Sequence, residues 1–269
     1  GYTGIMTLSG NGFLPVPWEG LTKLEDEGLL TLRVHGGSIV TSWKTEENLA
    51  TLKAVKEKYT SGLVRLTAAK FFADGVMDSS TAELLEPYTN NPHSHGDSGW
   101  EQEALNKAVA AVNELGLQSH THAIGDAAVR KALDAAEYAK ENAPAGDYRN
   151  VITHLQLVAR EDISRFAELD IVAVAQPYWH FKQPGYWQPI EHAALGERAE
   201  HEYPMQSFLD EGVPLAFASD FPVTARPFPF VAIETAVTRN LADGSEYGVA
   251  DITDMDDPTY LLWPEERVS

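Results

Sequence analysis

Apolar side chains recur along this chain with two different periods, and the two periods take turns. Over residues 46–59, Leu49, Leu52 and Val55 lie three apart; over 101–115 and 127–140, Leu105, Ala108, Val109, Val112 and then Val129, Ala132, Leu133, Ala136 repeat at three and four. That spacing gathers apolar groups on one face of an α-helix. Shorter helices are predicted at 160–169 (Ile163, Phe166, Ala167), at 203–211 with Pro204 in its first turn and Gly212 at its stop, and at 230–240. Leu21 and Leu24 sit three apart ahead of Gly28, a stop residue. Between the helices lie runs of strand length, apolar or alternating, at 2–8, 29–34, 63–72, 117–122, 150–157, 171–175 and 213–219. Seven strands alternating with helices imply a parallel sheet with right-handed crossovers. A polar loop fills 76–99, and the tail from residue 241 is acidic and irregular. No repeat or linker divides the chain, so residues 1–269 read as one β/α domain.

The run 116–126, GLQSHTHAIGD, is the chemical centre of the pattern. His120 and His122 are two apart, so a strand puts both imidazoles on one face. Gly125 permits a tight turn, and Asp126 is placed to cap the following helix. A strand that ends in histidine and feeds a helix is how a β/α barrel presents chemistry at its mouth. Three other strands end in the same way: Lys70, His154 and Asp220 each follow an apolar stretch. Two imidazoles and a carboxylate suit Zn(II) or a similar divalent ion. A buried Lys70 would be held partly neutral and could take up carbon dioxide as a carbamate able to bridge two metals.

Blander readings stand beside these. Lys70 could be ion-paired, with Asp74 for instance; His154 could be a core histidine; Asp220, ahead of Phe221-Pro222, could be a turn residue. His120 lies one layer below His122 and is read as structural. His93-Ser-His95 sits in a loop that cannot hold two rings on one face, so it is read as a decoy. The aromatic run 178–181, Trp179 within it, follows a strand end and reads as a substrate-pocket wall as readily as surface packing. Arg198 is either a surface charge or a clamp for a substrate carboxylate.

Composition narrows the partners. The formal charge of -20 argues against nucleic acid and anionic membrane, since phosphates would be repelled. With no cysteine, disulfides and thiolate ligands are excluded, which leaves His, Asp, Glu or a modified Lys for any metal. No apolar run approaches the ~18 residues of a membrane span, and no signal peptide is visible. The expectation is a cytoplasmic enzyme acting on a small molecule.

The residues 70–75 (KFFADG), 122–126 (HAIGD), 154–156 (HLQ) and 218–223 (ASDFPV) resemble the strand motifs of the amidohydrolase superfamily. Within it, these motifs together with 81–88 (TAELLEPY) and 203–209 (YPMQSFL) are most similar to the branch that includes N-substituted formamide deformylases. The resemblance runs over residues 1–240. It implies a TIM-type (β/α) barrel and metal-dependent hydrolysis of amide-type C–N bonds. It also implies metal ligands at Lys70 (carboxylated), His122, His154 and Asp220, with Asp220 taking the proton from the attacking water. The metal implied is zinc, one or two ions in the complete enzyme.

Three departures from the family pattern stand out. The strand-one His-x-His is missing, because residues 2–8 match strand two; the flanking β-sandwich is missing; and Thr153 stands where relatives often have Glu. The chain is therefore expected to be an incomplete barrel of strands two to eight, a central segment of a longer enzyme. Its open edges should be met by an opened sheet or a homo-oligomer. Lys70 should be carboxylated only with metal retained, and amide hydrolysis by this segment alone should stay near background. The alternative is a non-catalytic binding or regulatory protein with an incomplete metal site.

Overall fold

The computed structural model describes residues 2–8, 16–183, 185–224 and 228–239. Seven strands, β1 (Gly4–Leu8), β2 (Arg33–Ile39), β3 (Val64–Phe72), β4 (Gln118–Ala123), β5 (Val151–His154), β6 (Val172–Ala175) and β7 (Leu215–Phe217), form one sheet in sequence order. Every neighbouring pair is parallel. Helices α1 (Trp18–Asp26), α2 (Thr45–Lys58), α3 (Gln102–Glu114), α4 (Asp126–Asn142) and α5 (Ile163–Glu168) alternate with the strands. A run of short turns then contains α6 (Ala193–Leu195), and α7 (Met205–Asp210) and α8 (Pro229–Thr238) flank β7. Consecutive strand order is that of a barrel wall rather than of a doubly wound sheet, which reverses at a switch point. Among the described residues β1 and β7 are not paired to each other, so the wall is an open, incomplete TIM-type barrel. The edges show it: Met6 on β1 is 43% exposed and Phe217 on β7 is 42% exposed.

The core lies between strands and helices. One cluster joins α4, α5 and α7 to β5 and β6, with Phe166 and Phe208 edge to face at 4.9 Å. Another packs α2 and α3 on β3 through Leu52, Phe71, Leu105 and Val112. A third lies under the 76–99 loop, around Leu84, Tyr88, Ile124 and Leu195.

Two local departures from the sequence pattern shape the wall. The second strand was expected at 29–34 and runs instead over Arg33–Ile39. Leu29 and Leu30 close α1: both amides donate to the Leu24 carbonyl beyond Gly28, whose φ of 68° is the left-handed stop. The strand passes through Gly36 and Gly37, which carry no apolar signal. They are small because Trp18 and Leu8 pack on them: a Cβ would lie 2.1 Å from the Trp18 ring and 2.3 Å from Leu8. The ladder between β2 and β3 also slips between Gly36 and Gly37, leaving Thr67 as the extra residue of a β-bulge. Leu66, Ala69 and Phe71 consequently all pack on the helix side, although 66 and 69 are an odd number apart. Lys70 is thereby paired in register with His120.

Candidate functional site

Three of the sequence-predicted residues meet at the C-terminal ends of the strands. His122 on β4 and His154 at the end of β5 lie edge to face, with ring centroids 4.5 Å apart. Lys70 on β3 holds its Nζ 4.7 Å from the Phe72 ring centroid, and that ring is 5.1 Å from His122. All three side chains are buried. Asp220 differs: it is exposed, adopts a left-handed φ of 54°, and accepts the Val223 amide at its carbonyl in a turn. Its charge still reaches Lys70. Among the described residues no three His, Asp or Glu side chains are gathered closely enough to cage an ion by themselves; Lys70 lies beside the two imidazoles.

The imidazoles are held in defined states. His122 Nε2 lies 2.8 Å from the Gly75 carbonyl, which can only accept, so Nε2 carries a hydrogen and Nδ1 is the nitrogen left for a ligand. His154 Nδ1 lies 2.9 Å from Gln176 Oε1. Burial, then the neighbouring His122 and Lys70 charges, push the His154 pKa well down; burial and Lys70 do the same to His120. His154 and His120 are therefore neutral near pH 7, the state that His154 needs to act as a metal ligand. Burial lowers the Lys70 amine to about 8, against a smaller upward pull from Asp220. A fraction of that amine is free base near neutrality. Two imidazoles, a buried amine lowered to about 8 and a rim carboxylate fit a divalent ion in donor chemistry.

The other singled-out residues find different places. Asp74 does not pair with Lys70. Its carboxylate accepts the amides of Glu83, Ile124 and Gly125 at 2.9, 3.0 and 2.8 Å, tying the 76–99 loop to the end of β4. Gly125 must be glycine there, since a Cβ would sit 2.0 Å from the Glu83 carbonyl oxygen. The cap of α4 is Gly125, not Asp126; Asp126 lies inside the first turn and accepts the Leu85 amide at 2.9 Å as well as that of Ala127. His120 is buried with no partner for Nδ1 among the described residues. His95 lies 2.9 Å from the Leu84 carbonyl through Nδ1, a loop contact. Trp179 stacks on His154 at 5.7 Å and donates its indole N–H to Thr224 at 3.1 Å, so it walls the imidazole pair. Arg198 donates to the carbonyls of Leu195, Glu86 and Pro87, and straps two loop segments together.

Sequence reasoning missed Gln176 and Gly75, which contact the two rings, and the buried trio Gln156, Glu191 and Glu202. Gln156 Nε2 donates to Glu191 at 2.9 Å and to Glu202 at 2.7 Å. A lone Gln past a strand end has no periodic signal. Its position immediately after β6, level with the other strand-end residues, was the available clue.

An open wall of parallel strands, with two imidazoles and a lysine at its C-terminal end, defines a β/α-barrel scaffold. A sequence model of the amidohydrolase family matches residues 1–269, and the chain belongs to that family. Protein LONG AFTER FAR-RED 3 of Arabidopsis thaliana is 34% identical over 201 residues, 74% of this chain and 33% of its own length. N-substituted formamide deformylase of Arthrobacter pascens is 26% identical over 216 residues, 79% of this chain and 38% of its own length. Among solved structures, an uncharacterized metal-dependent hydrolase from Pyrococcus furiosus superposes with a TM-score of 0.70 at 30% identity, over 90% of this chain and 47% of that one. The chain spans between 33% and 38% of the length of these two curated relatives. Among the described residues no helix is long and apolar enough to cross a membrane.

Proposed function

We propose that this chain forms the catalytic wall of a metal-dependent hydrolase acting on amide-type C–N bonds, N-substituted formamides among them. The observation that carries this reading is the His122–His154 ring contact, in which each ring has one nitrogen engaged and the other uncommitted. Lys70 as a carbamate, His122, His154 and Asp220 would hold the metal. A divalent ion, Zn(II) by donor type and one or two per complete site, supplies Lewis acidity that activates water and polarises the carbonyl. The chain's own residues do the rest. Burial keeps the His154 imidazole neutral, with a lone pair to donate. The free-base form of the Lys70 amine would add carbon dioxide and release one proton to solvent, leaving a two-oxygen carbamate anion to offset the charge of an ion. Asp220, at the rim and open to solvent, accepts the proton of the attacking water and returns it to the leaving amine. Trp179 closes one side and holds the amide substituent. A second copy of the chain, or further sequence of a longer protein, would cover the β1 and β7 edges, because unpaired strand edges invite pairing.

The test uses the chain and any longer protein that contains it, each loaded in turn with Zn(II), Mn(II) and Co(II). Both are assayed for amine release from N-benzylformamide and from a panel of simple amides. The expected result is metal-dependent turnover of ~1 per second or more in the longer protein and near-background rates in the chain alone. Stoichiometric metal with no turnover of any amide by the longer protein would overturn the reading in favour of a binding role.

A further inference from the structure

The first residue after β6 is a glutamine that makes two contacts in the most sensitive part of the site. Gln176 is 2% exposed, and among the described residues both ends of its amide are occupied. Its Nε2 donates to Thr153 Oγ1 at 3.1 Å, and its Oε1 lies 2.9 Å from His154 Nδ1. We infer that Gln176 is a positioning residue: it selects the Nδ1–H tautomer of His154 and so turns the Nε2 lone pair outwards for a ligand. The inference rests on the metal reading for its purpose, but the tautomer itself can be measured without metal.

An amide oxygen cannot donate, so a ring nitrogen bonded to it must carry hydrogen. A neutral imidazole has one hydrogen, and placing it on Nδ1 leaves Nε2 bare. Nε2 is then the atom presented on the side away from Gln176. A ligand histidine whose other nitrogen donates to a fixed acceptor is the usual arrangement in metal sites. Thr153 anchors the far end of the amide. Thr153 and Val174 are paired across β5 and β6, and Gln176 lies two residues beyond Val174, on the same side of the sheet and one step nearer the strand ends. The Thr153 hydroxyl takes the amide's N–H, and the oxygen faces His154. A reversed amide would set its NH2 against Nδ1 and force the hydrogen onto Nε2, blocking it. Amide orientation and histidine tautomer are one variable, so a single side chain determines whether His154 can ligate. His154 is otherwise fixed: its backbone takes a φ of 82° as the strand ends, and Trp179 stacks on its ring. Those constraints set the ring plane, but neither chooses which nitrogen holds the hydrogen.

The experiment compares the protein with Gln176→Met, which keeps bulk and removes the strong acceptor, and Gln176→Glu, which as a carboxylate offers only acceptor oxygens. Long-range 1H–15N correlation spectra of the metal-free proteins assign the His154 tautomer, and Zn(II) affinity is measured in parallel by competition with a chromogenic chelator. The parent and Gln176→Glu should show Nδ1–H. Gln176→Met should shift to the Nε2–H form and bind Zn(II) ~10–100-fold more weakly, the usual cost of losing such a partner. His154 remaining Nδ1–H in Gln176→Met would overturn the inference. So would a His154 with no hydrogen on Nδ1 in Gln176→Glu, which decides the matter if the methionine variant does not fold. The expected tautomer change in proteins that bind no Zn(II) would uphold the positioning role while removing the metal-dependent function.

Discussion

Alanine at His154 is expected to weaken Zn(II) binding by more than ~100-fold and to remove metal-dependent hydrolysis from any longer, active form of the protein. Loss of a contact behind a ligand typically costs ~10–100-fold, and loss of the ligand itself costs more. The effect should be larger than for a rim residue because of what surrounds His154. It touches His122, stacks on Trp179 and bonds Gln176, all in a buried setting. Truncation removes one donor and leaves Gln176 Oε1 without its partner, and a buried amide oxygen left unpaired costs ~1–3 kcal/mol. The variant should therefore be both metal-poor and modestly less stable. Isothermal titration with Zn(II) and thermal melting check the two parts. Unchanged affinity would mean that the ion is held elsewhere.

The second large effect is on stability and belongs to Glu191 and Glu202. Both are buried, and both accept from the same Gln156 amide. Burial, and then the charge of Glu202, pushes Glu191 up to about 8; burial pushes Glu202 up to about 7, against hydrogen bonds from Gln156 and Trp187. Asp78 adds to the rise at Glu191 and Glu200 to that at Glu202, while the Arg239 charge lowers Glu202. A carboxyl that binds its proton more tightly when folded stabilises the fold below its unfolded value, here 4.5. That stabilisation is lost as pH rises through the folded values, so the fold should weaken from about 4.5 to about 8. A tenfold gain in proton affinity on folding is worth ~1.4 kcal/mol, so the pair should contribute a loss of at least ~2 kcal/mol across the window. Glu191→Gln keeps an acceptor for Gln156 and removes the charge. Its Tm should match the parent's at pH 5 and exceed it by ~4–8 °C at pH 8, given ~2–4 °C per kcal/mol for a chain of this size. Parallel Tm–pH curves for the two proteins would rule this out.

The parts of this molecule that could be read in its sequence are those governed by periodicity. The helices α2, α3 and α4 fall within two residues of their expected bounds because their apolar stripes face a strand-built core. The β4 histidines could be placed for the same reason: a two-residue period fixes a face without any tertiary knowledge. Legibility ended where a partner elsewhere in the chain determines the local structure. Gly36 and Gly37 carry no strand signal, and they extend β2 only because Trp18 and Leu8 cover them. The strand expected over 150–157 stops at His154, where positive φ at His154 and Leu155 turns the chain outwards. The bulge at Thr67 changes which side of β3 later residues occupy, and a count along β3 alone does not contain it. The segment 187–201 has no apolar period: a wide turn over Trp187–His192 and short helical turns are held by Gln156, Arg198 and packing from Leu195. Arg198 and Asp74 were legible as important charges but not as loop straps, because their acceptors and donors are backbone groups far away in sequence. The expected helix over 230–240 appears as α8 up to Thr238, and the acidic tail from 241 lies outside the described residues.

His122 and His154 are proposed to hold a divalent cation together. Anomalous diffraction at the zinc edge, from crystals of the chain equilibrated with Zn(II), tests it most directly. The expected result is a peak ~2.0–2.1 Å from both His122 Nδ1 and His154 Nε2, the ordinary zinc–imidazole distance, with the Gly75 and Gln176 contacts intact. A peak bound only to other residues, or none while both rings stay in ordered contact, would contradict it.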